Sequence, residues 1–331
     1  MQKKLSVVVV MMLVCILAAG TAQARKWKIS HVRPQNTAID NDLKAFSAEL
    51  KEISKGDMQA KIYAANSLGD YTVVQERVGL GAVDMACQPV AVAADKRMQI
   101  ANFPFMMTTW AQAEKNFAAD APLRKTIESL YAEQGIKLIA TWPAYFGGVA
   151  LNKEPQNPTD PNAKKGLKIR VVPSKSFKLM ADSIGFIGTP IPFSEAFTAV
   201  QTGVVDGVVG SGAEGYYASF RDVTKYYLPL NTHFEMWYLI MNAELYNDLD
   251  DSQKALVDKA AKDFEQRRWA RAESDQAANE QRLADYGAKI ISVSTEDIEA
   301  NAAKVREQVW PVILSDVGED WGRKVLSNII Q

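Results

Sequence analysis

One arginine stands where an arginine is costly. The run Gly166-Leu167-Lys168-Ile169-Arg170-Val171 reads as an apolar strand, and alternation places Arg170 on the same face as Lys168 and Val172. Burying a guanidinium calls for an anionic partner. Its planar fork suits a carboxylate or a sulfonate, held by two parallel charge-assisted hydrogen bonds. The pattern leaves two partners open: a bound anion, or an Asp or Glu of the protein itself.

Other reactive chemistry is scarce. The chain has two histidines, His31 and His233, and two cysteines, Cys15 and Cys87. Zinc sites with the usual spacings are thereby excluded, and neither histidine falls in a local nucleophile–base motif. No catalytic residue, metal or cofactor is expected. One segment argues otherwise. Gly210-Ser211-Gly212-Ala213-Glu214-Gly215 matches G-x-G-x-x-G after a predicted strand, with Glu235 further on. Taken alone it suggests a different class of protein, an exported NAD-dependent oxidoreductase. Its late position and the weak helix pattern after it favour a close-packed loop at a strand end.

The elements that must position Arg170 follow a leader. Lys3 and Lys4, the apolar run Leu5 to Ala19 and the small residues Ala22-Gln23-Ala24 form a secretory signal, with cleavage expected after Ala24 and export to the periplasm. Cleavage removes two lysines and no acid, moving the formal charge from −1 to −3 and leaving Cys87 as the sole cysteine. A mixed surface of that kind offers no basic footprint for nucleic acid and no polybasic face for lipid. A mature chain beyond about 250 residues is expected to divide into two domains.

Strand and helix patterns then alternate as in α/β proteins. Strands are expected at 27–32, 58–64, 83–87, 136–142, 167–172, 204–209 and 234–241. Helices are expected between them, with Leu43, Phe46, Leu50 and Ile53 on one face of the first. Ser194 is a candidate N-cap for a helix that Gly203 ends. Residues 251–287, capped at Asp251-Ser252, have no Gly or Pro before Gly287. At 1.5 Å per residue such a helix reaches about 50 Å, so it either kinks or crosses two lobes.

The ordered set Asn66-Ser67-Leu68-Gly69, Gly81-Ala82-Val83-Asp84, Gly166 to Val171, Pro192-Phe193-Ser194-Glu195-Ala196 and Ala199 to Gly207 resembles one family over essentially the whole mature chain. It is that of the periplasmic solute-binding proteins of tripartite ATP-independent periplasmic (TRAP) transporters, dicarboxylate-binding type. The resemblance implies a two-lobed α/β binding-protein fold with a hinge and a long helix spanning both lobes. One lobe would comprise residues 25–146 and 235–275, the other 147–234 and 276–331. It implies that Arg170 pairs with a ligand carboxylate, that Phe193 lines the cleft, and that His31, Arg33 and Gln88 face the ligand. The partners would be a small organic anion and the transporter's membrane components, and the protein a monomer.

Two departures bear on the ligand. Gly147 and Gly148 occupy the region of a second family arginine, and Gly210 stands where the family commonly has a ligand-binding Asn. With Trp142, Tyr145, Phe193, Trp237 and Tyr238 nearby, the expectation is a spacious pocket for a monocarboxylate with an apolar, aromatic or 2-oxo part. The competing expectation is a small sulfonate or hydroxy acid held by Arg33, His31 and the backbone amides around Gly210 and Ser211.

Overall fold

The computed structural model describes residues 25–329; the expected leader and its cleavage site lie outside them. Two sheets organise the chain. The first contains β1 (Arg25–Ser30), β2 (Met58–Tyr63), β3 (Met85–Gln88), β4 (Ile136–Phe146) and β10 (Phe234–Asn242), in the order β2-β1-β3-β10-β4. The second contains β5 (Gly148–Leu151), β6 (Lys168–Val171), β7 (Ile187–Pro190), β8 (Gly207–Ser211), β9 (Tyr226–Leu228) and β11 (Lys289–Ile290), in the order β11-β9-β5-β8-β6-β7. Parallel pairs β1–β2, β1–β3, β6–β7 and β6–β8 carry the helical crossovers. The chain passes between sheets three times, at Gly147, between Leu228 and Phe234, and between Asn242 and Lys289.

Helices α1 (Ala38–Ile53), α2 (Tyr71–Gly79), α3 (Trp110–Phe117) and α4 (Pro122–Ala132) belong to the first unit, with a 3-10 turn at Lys96–Asn102. Leu43, Phe46 and Leu50 of α1 are buried, as their spacing requires. Helices α5 (Lys175–Ser183), α6 (Phe193–Gln201) and α7 (Ala213–Ser219) belong to the second. The α6 start differs from expectation: Pro192, not Ser194, is the N-cap and supplies no side-chain bond. The Ser194 N–H instead donates to Asp70 Oδ2 at 3.2 Å. Asp70 also caps α2 through Thr72 N, so one carboxylate serves two helix starts in two units.

After the short α8 (Ala243–Asn247), the 251–287 segment forms α9 (Asp251–Trp269) and α10 (Ala272–Asp285), capped one residue earlier than expected by an Asp250–Gln253 capping box. Both sequence alternatives hold: the segment crosses and it is interrupted. Helix α9 packs on α1 and β4, and α10 packs on α7 and β4. At the break Arg271 has φ −134° and ψ −4°. Side-chain bonds hold it: Arg268 donates to the carbonyls of Pro143 (2.7 Å) and Ala144 (3.0 Å) and pairs with Asp275, while Arg271 pairs with Asp42. The C-terminal helices α11 (Thr295–Gln308), α12 (Trp310–Val317) and α13 (Glu319–Leu326), expected wholly in the second lobe, rest on both units. Helix α11 packs on α5, whereas α12 and α13 pack on the 3-10 turn and on α4.

The crossing strands are tied to one another. Gly147 N donates to His233 O and Thr232 N to Gly147 O, both at 2.8 Å. A Cβ at Gly147 would lie 2.1 Å from His233 Cε1, and one at Gly148 would lie 2.6 Å from Leu228 O. Gly147→Ala is therefore expected to lower stability by about 1–3 kcal/mol, since the contacted groups are themselves packed. Urea denaturation of the variant beside the parent checks it, and an unchanged midpoint would contradict this packing.

Candidate functional site

Strand β6 lies between β7 and β8 and carries Arg170 at 1% exposure. Its Nε donates to Ile191 O at 2.7 Å and its Nη1 reaches Val209 O at 3.4 Å. Nη2 has no partner, and no carboxylate pairs with this guanidinium among the described residues. Of the two partners the sequence left open, the internal acid is thus absent among them. Burial pushes the Arg170 pKa below its ordinary value, with no ion pair to restore it. The Phe193 ring centroid lies 5.9 Å from its Cζ. Gly210, at φ +100°, passes directly beside: a Cβ there would come within 2.4 Å of Val172 Cγ2 and 3.3 Å of Arg170 Nη1. Glycine at this turn leaves the guanidinium its place.

Arg33, just after β1, is equally buried but committed. Its Nε donates to Glu214 Oε2 at 3.0 Å and Nη2 to Ser211 Oγ at 3.3 Å, from the first unit to the second. Phe193, Trp237 and Tyr145 surround it, with centroids at 5.2, 5.1 and 6.0 Å. Burial opposes its charge, but Glu214 and Tyr145 outweigh that and hold its pKa above the usual value.

Arg170, Arg33, Phe193, Tyr145, Trp237, Gly210 and Ser211 line one small cavity of about 30 Å³. Its volume admits roughly one water. The Tyr145 hydroxyl lies 3.4 Å from Ser211 Oγ. The remaining sequence candidates are not among its lining residues. His31 turns to Asp40, with Nε2 3.2 Å from Oδ1, and burial lowers its pKa in spite of that carboxylate. Gln88 donates to Tyr71 O at 2.7 Å and so positions a lining residue instead of facing the cavity. Trp142 donates to Asp42 Oδ2 at 2.8 Å and lies under Arg268, whose Cζ is 4.2 Å from its ring. Tyr238 packs on Tyr131, centroids 5.6 Å apart.

The spacious pocket inferred from glycines does not form in this state. The volumes a side chain would take at Gly147, Gly148 and Gly210 are filled by His233, Tyr227 and Val172. Of the small-sulfonate donor set, Arg33 and His31 already face Glu214 and Asp40. The glycine-rich segment is close-packed: a Cβ at Gly212 would sit 2.5 Å from Phe146 O, and one at Gly215 would sit 2.2 Å from Arg33 Nη2. Helix α7, too short to show in the sequence, contains Gly215. Backbone approach, which a dinucleotide would need, is taken by the protein's own groups.

Sequence reasoning missed Tyr71, Asn102, Val172, Phe177 and Glu235, which also line the cavity. Glu235 had drawn notice only for its distance from the glycines. It is 4% exposed, and His233 Nε2 approaches its Oε2 at 3.1 Å, out of line for a hydrogen bond. A larger cavity of about 660 Å³ lies on the other side of Glu214, between the start of α1 and α7 with α10.

Similarity to known proteins agrees with this architecture. A solute-binding protein of Chromohalobacter salexigens is 25% identical over 307 residues, covering 89% of this chain and 87% of that one. A sugar acid binding protein from Advenella mimigardefordensis, in complex with galactonate, superposes with a TM-score of 0.84 at 18% identity, over 92% of this chain and 98% of that one. A TRAP periplasmic solute-binding protein from Sulfitobacter, with bound β-D-galacturonate, gives 0.82 at 21% identity, over 92% and 99%. Those two-lobed receptors share the fold described above. The family model for bacterial extracellular solute-binding proteins, family 7, matches residues 29–313, and the chain belongs to that family.

Proposed function

We propose that this chain is the periplasmic receptor of a TRAP transporter, taking an organic acid by its carboxylate on Arg170 and presenting it to the transporter's membrane components. One observation carries the reading: a buried guanidinium lines an interlobe cavity with Nη2 unbonded and no internal counter-ion among the described residues. Sugar acids bound to two receptors of the same fold support the class of ligand. The reading involves no bond-making step, so it asks for no base, nucleophile or metal.

The division into lobes that we propose follows the three chain crossings, with 25–146 and 235–275 on one side and 147–234 and 276–331 on the other, apart from the C-terminal helices that rest on both. A cavity of about 30 Å³ is far below the several hundred that an organic ligand fills. Entry therefore proceeds through an opened form, and closure around the ligand brings Phe193 and Tyr145 over the ion pair. The receptor works as a monomer, exported after cleavage at Ala24.

Arg170→Ala is expected to weaken organic-acid binding by about 2–5 kcal/mol, because the carboxylate would be desolvated without a partner. Arg170→Lys should fall between, keeping charge but losing the fork. Titration calorimetry measures both, and parental affinity in the alanine variant would reject the assignment. N-terminal sequencing of the exported protein should begin at Arg25; any other first residue refutes the cleavage site.

A further inference from the structure

The cavity has a charge pattern that its anion anchor does not use. Two arginines and one carboxylate, Glu235, line it, and a second carboxylate, Glu214, lies behind Arg33. Arg33 and Glu214 are spent on each other at 3.0 Å. Arg170 is left for a ligand carboxylate, and Glu235 is left as well. Its neighbour His233 stands 3.1 Å away, off the hydrogen-bonding line, and turns its other nitrogen to Thr232 Oγ1 at 3.0 Å. Among the described residues His233 is the one basic side chain within 4.0 Å of the Glu235 carboxylate. Three lining atoms lack partners: Arg170 Nη2 and Trp237 Nε1, which need acceptors, and Asn102 Oδ1, which needs a donor.

A buried ionised carboxylate only accepts hydrogen bonds, and leaving it unmet is costly. A ligand with one carboxylate and nothing else would satisfy Arg170 while sealing Glu235 away from water. A second carboxylate would meet Glu235 with like charge inside a closed cleft. An acid that also carries an O–H or N–H donor satisfies both ends.

We propose that Glu235 is a specificity-determining residue that accepts a hydrogen bond from a hydroxyl or N–H of the ligand. It thereby selects donor-bearing monocarboxylic acids over plain acids and dicarboxylic acids. This rests on the Arg170 reading and deepens it. Arg170 fixes where the anion sits; Glu235 fixes what else the molecule must carry.

The test is titration calorimetry of the mature protein with matched acids differing in one group. A small set is propionate, 3-hydroxypropionate and succinate; a large set is 3-phenylpropionate, 3-phenyllactate and benzylmalonate. In each set that binds, the hydroxy acid should bind at least about tenfold more tightly than the unsubstituted acid, the worth of one buried acceptor. It should exceed the dicarboxylate by about a hundredfold or more through like-charge exclusion. Glu235→Gln should shrink both ratios and gain dicarboxylate affinity at least about tenfold. Equal binding across a set, preference for the dicarboxylate, or unchanged ratios in the variant overturns the Glu235 assignment while leaving Arg170 intact. Failure of every acid to bind the parent protein overturns the Arg170 reading and this one with it. If Glu235→Gln does not fold, the ranking within the parent protein decides alone.

Discussion

A guanidinium kept from water without a counter-ion is among the more expensive things a fold can hold, and Arg170 is held that way. Two carbonyl dipoles and one aromatic face offset part of the cost. The remainder stays as an unmet demand at Nη2. Much of the surrounding structure keeps that demand unmet from within. Strand β6 is central enough to fix the side chain, and Gly210 gives it room. Glu214, the acid beside the other cavity arginine, is paired with that arginine. Had Glu214 been free to swing to Arg170, the cleft would have no reason to prefer a ligand to itself.

The two arginines differ in what holds them. Arg33 reaches from the first unit to Ser211 and Glu214 of the second, so its bonds exist only while the units are together. The Asp70 carboxylate does the same through Ser194 N. These are interlobe contacts that need no ligand. They favour the arrangement seen here on their own account, and in the proposed receptor a ligand would add to a preference already present. A ligand can shift such an equilibrium only by its differential affinity for the two states, and in the proposed receptor the cavity with Arg170 is where that difference would arise.

Sequence patterns singled out Arg170 and missed much of its surroundings, for physical reasons. Arg170 was legible because a charge inside an apolar strand is locally anomalous. Arg33, Phe193, Tyr145, Trp237, Gly210 and Ser211 also reached the cavity. His31, Gln88 and Trp142 did not. Nearness to a strand end places a residue close to a cleft but does not settle which way its side chain turns. For these three, Asp40, the Tyr71 carbonyl and Asp42 decided it. Tyr71, Asn102 and Glu235 were missed because each enters from a helix start, a 3-10 turn or a crossing strand, where no periodicity marks a face. The glycines misled differently: a missing side chain was read as free volume, but His233, Tyr227 and Val172 occupy it.

The interruption at Ala270–Arg271 has a mechanical meaning. A continuous rod spanning two bodies must be bent whenever they swing, and its stiffness would then set much of the work of swinging. Split into α9 and α10, the rod becomes two struts meeting at a joint, where the swing of the proposed receptor could be taken up by the backbone torsions of one or two residues. The Arg268–Asp275 pair ties the two struts to each other across the joint, and Arg271 ties the joint to Asp42 of α1. The effort of swinging is then set by what the jaws grasp, not by the spine behind them.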